Sequence, residues 1–262
     1  MNETPYISRL TTPYKDIFTT VYIVKTPEGA LLFDTASYAE DVAEHILPFL
    51  SEAGVGPEEL KYIFISHNHT DHAGGLQVVH EHFPNACIVS RSPALQEKFA
   101  GSRFLLPEEG TVLLGVLQVV PIPGHTLDSA AILDTRTGTL LSGDCLQLWG
   151  IFGSGKWGAN IRYPAEHKNA VDALRAINIR TILSAHDYHP FGYAFVGEEA
   201  VSAALDACIA PLARIRDLIS QYPQQDDEGI AEEYNRGGSL PTLGSHVVAA
   251  VREALLQGAF RL

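Results

Sequence analysis

The sequence predicts an α+β protein, and three observations carry that prediction. Short runs rich in β-branched and aromatic residues recur between residues 19 and 184, bounded by glycine, proline or Asx turns. Stretches with apolar residues at helical spacing alternate with them. Beyond Gly197 the pattern is mostly helical. The element order suggests two halves, each strands followed by helices, without a repeat at a fixed period.

The elements follow in order. Residues 19–25 and 30–34 read as strands joined by the turn Thr26-Pro27-Glu28-Gly29. Residues 38–53 read as a helix with Val42, Ile46, Leu47 and Leu50 on one side, a kink at Pro48 and an end near Gly54. Residues 60–66 are a buried strand, 76–83 a helix, 86–90 a strand, and 92–99 a helix opened by Ser92-Pro93. Strands are then predicted at 112–114, 117–120, 130–134, 139–142 and 181–184, with a helix at 164–177. The last predicted helices cover 198–222, kinked or divided at Pro211, and 239–256, with a polar loop at 224–238 between them.

Composition sets bounds on function. The 262 residues suit a single domain, 1–262, in which 197–262 form a helical extension. With 46% hydrophobic and 19% charged residues, the chain has an ordinary soluble make-up. The longest apolar candidate, 112–120, stops at Pro121 and contains Gly115 and Gln118, so no membrane span is expected. Residues 1–5 lack a secretory pattern, and three widely spaced cysteines argue for a reducing, cytoplasmic compartment. A formal charge of −13 and the lack of a Lys/Arg run speak against a nucleic-acid substrate.

The chemistry concentrates in His67-Asn68-His69-Thr70-Asp71-His72. Three imidazoles and a carboxylate within six residues are ligands that suit zinc, iron or manganese. Crowding them without a cation is unfavourable through desolvation and, at low pH, repulsion. The cluster falls in a loop between a strand and a helix, and Gly74-Gly75 are expected to bring backbone close to whatever the histidines hold. Three further candidates, His125, Asp144 and His186, each stand at or just past the end of a predicted strand.

These motifs, together with Asp34 in Leu31-Leu32-Phe33-Asp34-Thr35, resemble those of the metallo-β-lactamase superfamily in their order along the chain. The resemblance implies a four-layer αββα sandwich with two divalent ions, zinc first and iron or manganese as alternatives. It assigns His67, His69 and His125 to one metal and Asp71, His72 and His186 to the other, with Asp144 bridging. Asp34 would orient ligands through hydrogen bonds. In flavin-linked di-iron relatives the position of His69 carries glutamate, so histidine here favours hydrolysis.

The function implied is a metal-dependent hydrolase in which a metal-bound hydroxide cleaves an ester, lactone, thioester or amide of a small molecule, with Asp71 as catalytic proton acceptor. The alternatives are a mononuclear iron sulfur dioxygenase-like oxidoreductase using His67, His125 and Asp144, and a non-catalytic metal-binding protein. A nuclease is disfavoured by the charge. Residues 148–158, within a loop at 147–163, hold both tryptophans and suggest a lid, so Trp149, Lys156 and Trp157 are candidate substrate contacts, and Tyr188 and His189 join them as neighbours of His186. Cys145 reads as inert core. His45, His80, His82, His167 and His246 read as solvated helix surface. The carboxy-terminal helices are expected to cover the site, to pair with a second copy, or both.

Overall fold

The computed structural model describes residues 3–152, 155–238 and 240–259. It divides into two compact units, one formed by Met1–Val120 and Ala130–Arg136, the other by Pro121–Ser129 and Thr137–Leu262. The α+β class is as the sequence predicts: two mixed six-stranded sheets with helices.

The first sheet lies wholly in the first unit. Its strands β1 (Ile7–Tyr14), β2 (Ile17–Thr26), β3 (Gly29–Phe33), β4 (Leu60–Phe64), β5 (Cys87–Val89) and β6 (Phe104–Leu105) pair in sequence order. Pairing is antiparallel from β1 to β3 and parallel from β3 to β6. The β2–β3 turn closes as expected, with Thr26 Oγ1 accepting from Glu28 N and donating to Gly29 O. Strand β1 is not among the predicted elements. Its Ser8, Arg9, Thr11, Thr12 and Pro13 hide any apolar alternation, and its turn places Lys15 at φ +51, where glycine or asparagine would have signalled a hairpin.

The predicted first helix is wound in three pieces. These are α1 (Ala39–Asp41), a π-helical segment (Val42–Ile46) and α2 (Leu47–Glu52). Pro48 falls in the first turn of α2, where its missing N–H is tolerated, so a change of winding stands where a kink was expected. Helices α3 (Thr70–Ala73), α4 (Leu76–His82) and α5 (Pro93–Lys98) follow, and Ser92 Oγ caps α5 by accepting from Leu95 N. Ile23, Leu32 and Ile63 of the sheet share one buried core with Ile46, Leu76 and Val79 of the helices. The first unit also carries β7 (Val112–Leu113), β8 (Leu117–Pro121, whose last residue belongs to the second unit) and β9 (Ala130–Asp134), in the order β9-β8-β7 of the second sheet.

The second unit contributes β10 (Thr139–Gly143), β11 (Thr181–Tyr188) and β12 (Gly192–Val196), in the order β12-β11-β10, with β10 parallel to β11 and β12 antiparallel to it. Its helices are α6 (Pro164–Arg175), α7 (Glu198–Gln221), α8 (Asp227–Asn235) and α9 (Ser245–Leu256). Helix α7 runs undivided through Pro211. Helix α8 occupies the predicted loop. Its sequence is polar, but Ile230, Ala231 and Tyr234 give it one buried side, and Asp226 caps it by accepting from Gly229 N. Ser239, the predicted start of the last helix, lies outside the described residues, and α9 begins at Ser245.

Candidate metal centre

In the first unit the parallel strands β3 and β4 end side by side, with Phe33 opposite Phe64, and Asp34 N donates to Phe64 O over 2.8 Å. Asp34 then turns into the left-handed region at φ +62, which aspartate tolerates better than most residues. Its fully buried carboxylate collects three hydrogen bonds. Oδ1 accepts from Ser66 N at 2.7 Å, and Oδ2 accepts from Ser66 Oγ at 2.8 Å and from His72 Nδ1 at 2.7 Å. Burial pushes the Asp34 carboxyl above its usual range, against the pull of His72 and Ser66. A proton held on His72 Nδ1 leaves Nε2 as the lone-pair nitrogen, 3.5 Å from Asp71 Oδ2.

His67 follows β4 and is fully buried, and His69 is half-buried at the cap of α3. His67 Nε2 lies 2.9 Å from His69 Nδ1, and the His67 ring centre is 4.2 Å from that of His72. Two nitrogens each about 2.0–2.1 Å from a tetrahedral zinc stand about 3.3 Å apart, so this spacing suits a shared cation. Asp71 and His72 sit on the single-turn helix α3, not in an open loop, and Thr19 Oγ1 donates to Asp71 Oδ2 at 3.2 Å.

Gly74 and Gly75 serve a purpose other than the one expected. A Cβ on Gly74 would lie 1.9 Å from Ser37 O, and one on Gly75 would lie 2.2 Å from Thr35 O. Thr35 N and Oγ1 also donate to His72 O, and Gly74 N donates to Ala36 O. The backbone brought close by the glycines is that of residues 35–37, and the approach seats the end of α3 against it.

The second unit holds the other three residues. His125 Nδ1 donates to Asn160 O at 2.8 Å, which fixes the tautomer and turns Nε2 into the ligand-type atom. Asp144 follows β10. Its Oδ1 lies 3.1 Å from His186 Nε2 and its Oδ2 lies 3.8 Å from His125 Nε2. One carboxylate thus offers an oxygen to each of two imidazoles, the disposition a bridging ligand needs. His186 lies within β11 and not at its end, because the strand continues to Tyr188. Tyr188 is buried and its hydroxyl donates to Asp144 Oδ1 at 3.0 Å.

The remaining candidates fall as follows. Trp149 packs against the core of the carboxy-terminal helices, its ring 6.5 Å from that of Tyr234. Lys156 is exposed, and Trp157 O accepts from Ile151 N. His189 is half-buried, with its ring 4.7 Å from that of Phe152. Gly153 and Ser154 of the expected lid lie outside the described residues. The neighbouring turn is tied down, since both Thr242 N and Thr242 Oγ1 donate to Gly155 O. Cys145 is fully buried.

One histidine read as surface is not. His167 is fully buried, and its Nε2 donates to Cys208 O at 3.2 Å. Burial pulls its pKa down to about 4. His246 is exposed, as expected, and its Nε2 donates to Asn160 Oδ1 at 3.0 Å. Helical spacing alone cannot show which side of a helix meets the rest of the protein, so the burial of His167 is not visible in the sequence. Ser66 and Thr19 in the first unit, and Gln147 and Asn160 in the second, bond to these candidates and carry no motif signal, because neutral side chains and backbone carbonyls are too common to stand out.

Among the described residues, histidine and aspartate groups able to hold a metal are drawn from His67, His69, Asp71, His72, His125, Asp144 and His186. The protonated Nδ1 atoms of His72 and His125 and the two-sided Asp144 fit such a group. Comparison with known proteins agrees. The family model of the metallo-beta-lactamase superfamily matches residues 14–186. A hydroxyacylglutathione hydrolase of Synechococcus sp. (strain JA-3-3Ab) is 31% identical over 172 residues, covering 64% of this chain and 63% of that protein. Thioesterase pkgB of Emericella nidulans is 25% identical over 48% of this chain and 35% of its own length. The chain therefore spans less than two thirds of each of these curated relatives. A solved metallo-beta-lactamase family protein from Thermus thermophilus has the same fold, with a TM-score of 0.67 at 18% identity over 96% of this chain and 95% of that one. Motif order, local geometry and fold agree, and the chain belongs to the metallo-β-lactamase superfamily.

Proposed function

We propose that the protein is a metal-dependent hydrolase of small-molecule thioesters, with esters and lactones as secondary substrates. The observation that carries this reading is Asp144, whose two oxygens face the Nε2 atoms of His186 and His125. The names of two relatives, a hydroxyacylglutathione hydrolase and a thioesterase, favour the thioester among the bonds such a centre cleaves. In this reading His67, His69 and His125 would hold one divalent ion, Asp71, His72 and His186 would hold the other, and Asp144 would serve both.

When bound, such ions lower the pKa of water from about 15.7 to about 7 and polarise the carbonyl under attack. The side chains do the rest. Asp34 and the Asn160 carbonyl keep His72 and His125 turned with Nε2 inward. Asp71, held by Thr19, accepts the proton of the attacking water and returns it to the departing sulfur. Water adds to the acyl carbon, the C–S bond breaks, and a carboxylic acid and a thiol leave. No serine or cysteine nucleophile is required.

No helix among the described residues is long and apolar enough to cross a membrane. A reducing, cytoplasmic setting is part of the same proposal, supported by the free thiols of Cys87 and Cys208. The test is hydrolysis of an S-acyl glutathione by metal-loaded protein, with His67→Ala as the control. The variant should lose turnover together with bound metal. Turnover equal to wild type would end the proposal.

A further inference from the structure

Between Asp144 and His125 the second unit contains a chain of hydrogen bonds that no ligand motif requires. Gln147 is 4% exposed. Its Nε2 donates to the Asp144 carbonyl at 2.9 Å, and its Oε1 accepts from Asn160 N at 2.8 Å. Asn160 O in turn accepts from His125 Nδ1 at 2.8 Å. One amide thus joins the backbone of one metal-ligand residue to the group that orients another. The chain continues outward, because Asn160 Oδ1 accepts from His246 Nε2 on α9. The residues flanking Asn160 explain why its backbone is so well placed: Ala159 and Ile161 are buried in the core formed with α7, α8 and α9. The helical extension therefore grips 159–161 from one side while Gln147 and His125 bond to it from the other.

We propose that Gln147 is a positioning residue that sets Asp144 and His125 in register, and that His246 makes the carboxy-terminal helices part of the same clasp. A buried primary amide suits this position. It is the neutral side chain that donates to a carbonyl with one end and accepts from an N–H with the other. A methionine leaves both backbone groups without their partner, and a glutamate keeps only the acceptor.

The inference rests on the metal-centre reading above, and the test separates the two. Zinc-loaded wild type, Gln147→Met, Gln147→Glu and His246→Ala are compared in three measurements: thermal unfolding, zinc affinity by chelator competition, and the proton resonance of His125 Nδ1–H. Gln147→Met should weaken zinc about 10- to 100-fold and shift the resonance. Gln147→Glu retains the acceptor for Asn160 N and should keep the resonance near its wild-type position while still losing zinc affinity. His246→Ala removes one outer bond of a folded protein and should weaken zinc about 2- to 10-fold, with a smaller shift of the same resonance. Should Gln147→Met fail to fold, the other two variants decide. Wild-type zinc affinity and an unmoved resonance in the folded variants would overturn the clasp and leave the metal centre standing. A wild type that binds no zinc or other divalent ion would instead overturn the metal centre itself.

Discussion

Asp34 holds His72 through a bond of 2.7 Å, and Ser66 through two more, from a backbone conformation that few residues adopt. Asparagine tolerates the same φ, so Asp34→Asn removes the charge without forcing the turn open. Its amide offers one acceptor oxygen where two are used, and the His72 tautomer is no longer fixed. Metal affinity should fall about 10- to 100-fold in a chelator competition while the thermal midpoint changes little. His167 gives a pH prediction. Its folded pKa of about 4 lies below the 6.5 of an exposed histidine, so on acidification the unfolded chain takes up the proton first. Stability linked to His167 is complete above pH 6.5 and is lost as pH falls from there towards 4. The gap corresponds to about 3 kcal/mol. Urea unfolding of metal-free protein should show a steeper acid loss for wild type than for His167→Gln, and equal slopes would count against the assignment.

At the scale of elements, α3 depends on the lack of side chains at Gly74 and Gly75. Gly74→Ala places a methyl against Ser37 O with no flexible neighbour to yield, and it should destabilise the fold by about 1–3 kcal/mol or more. Gly101→Ala, which meets nothing within 4 Å, is the control and should be near neutral in the same thermal melts. The elements also show what the sequence makes legible. Strands β2, β3, β4, β9 and β10 are dense in β-branched and apolar residues and are found where predicted. Strands β1 and β12 are not predicted, the first because threonines and a proline blur its alternation, the second because Gly192-Tyr193-Ala194 looks like a turn. Helix α8 is short, and its buried side rests on three residues amid acidic ones. The residues that could hold a metal are legible because histidine and aspartate at these spacings are rare. Their supports are not, because the Asn160 carbonyl and the Gln147 amide act through positions that only the folded chain defines.

For the whole molecule, the charge of −13 weighs against a nucleic-acid substrate. Family membership establishes the fold and a metal-dependent superfamily, and one fold serves many reactions, so the thioester must be tested directly. The deciding measurement is metal content and thioester turnover on one sample of protein purified without added metal. A metal-dependent thioester hydrolase of the proposed kind holds about two divalent equivalents per chain, hydrolyses an S-acyl glutathione, loses that activity on chelation and regains it when zinc is restored. Full turnover by protein stripped of metal would contradict that proposal.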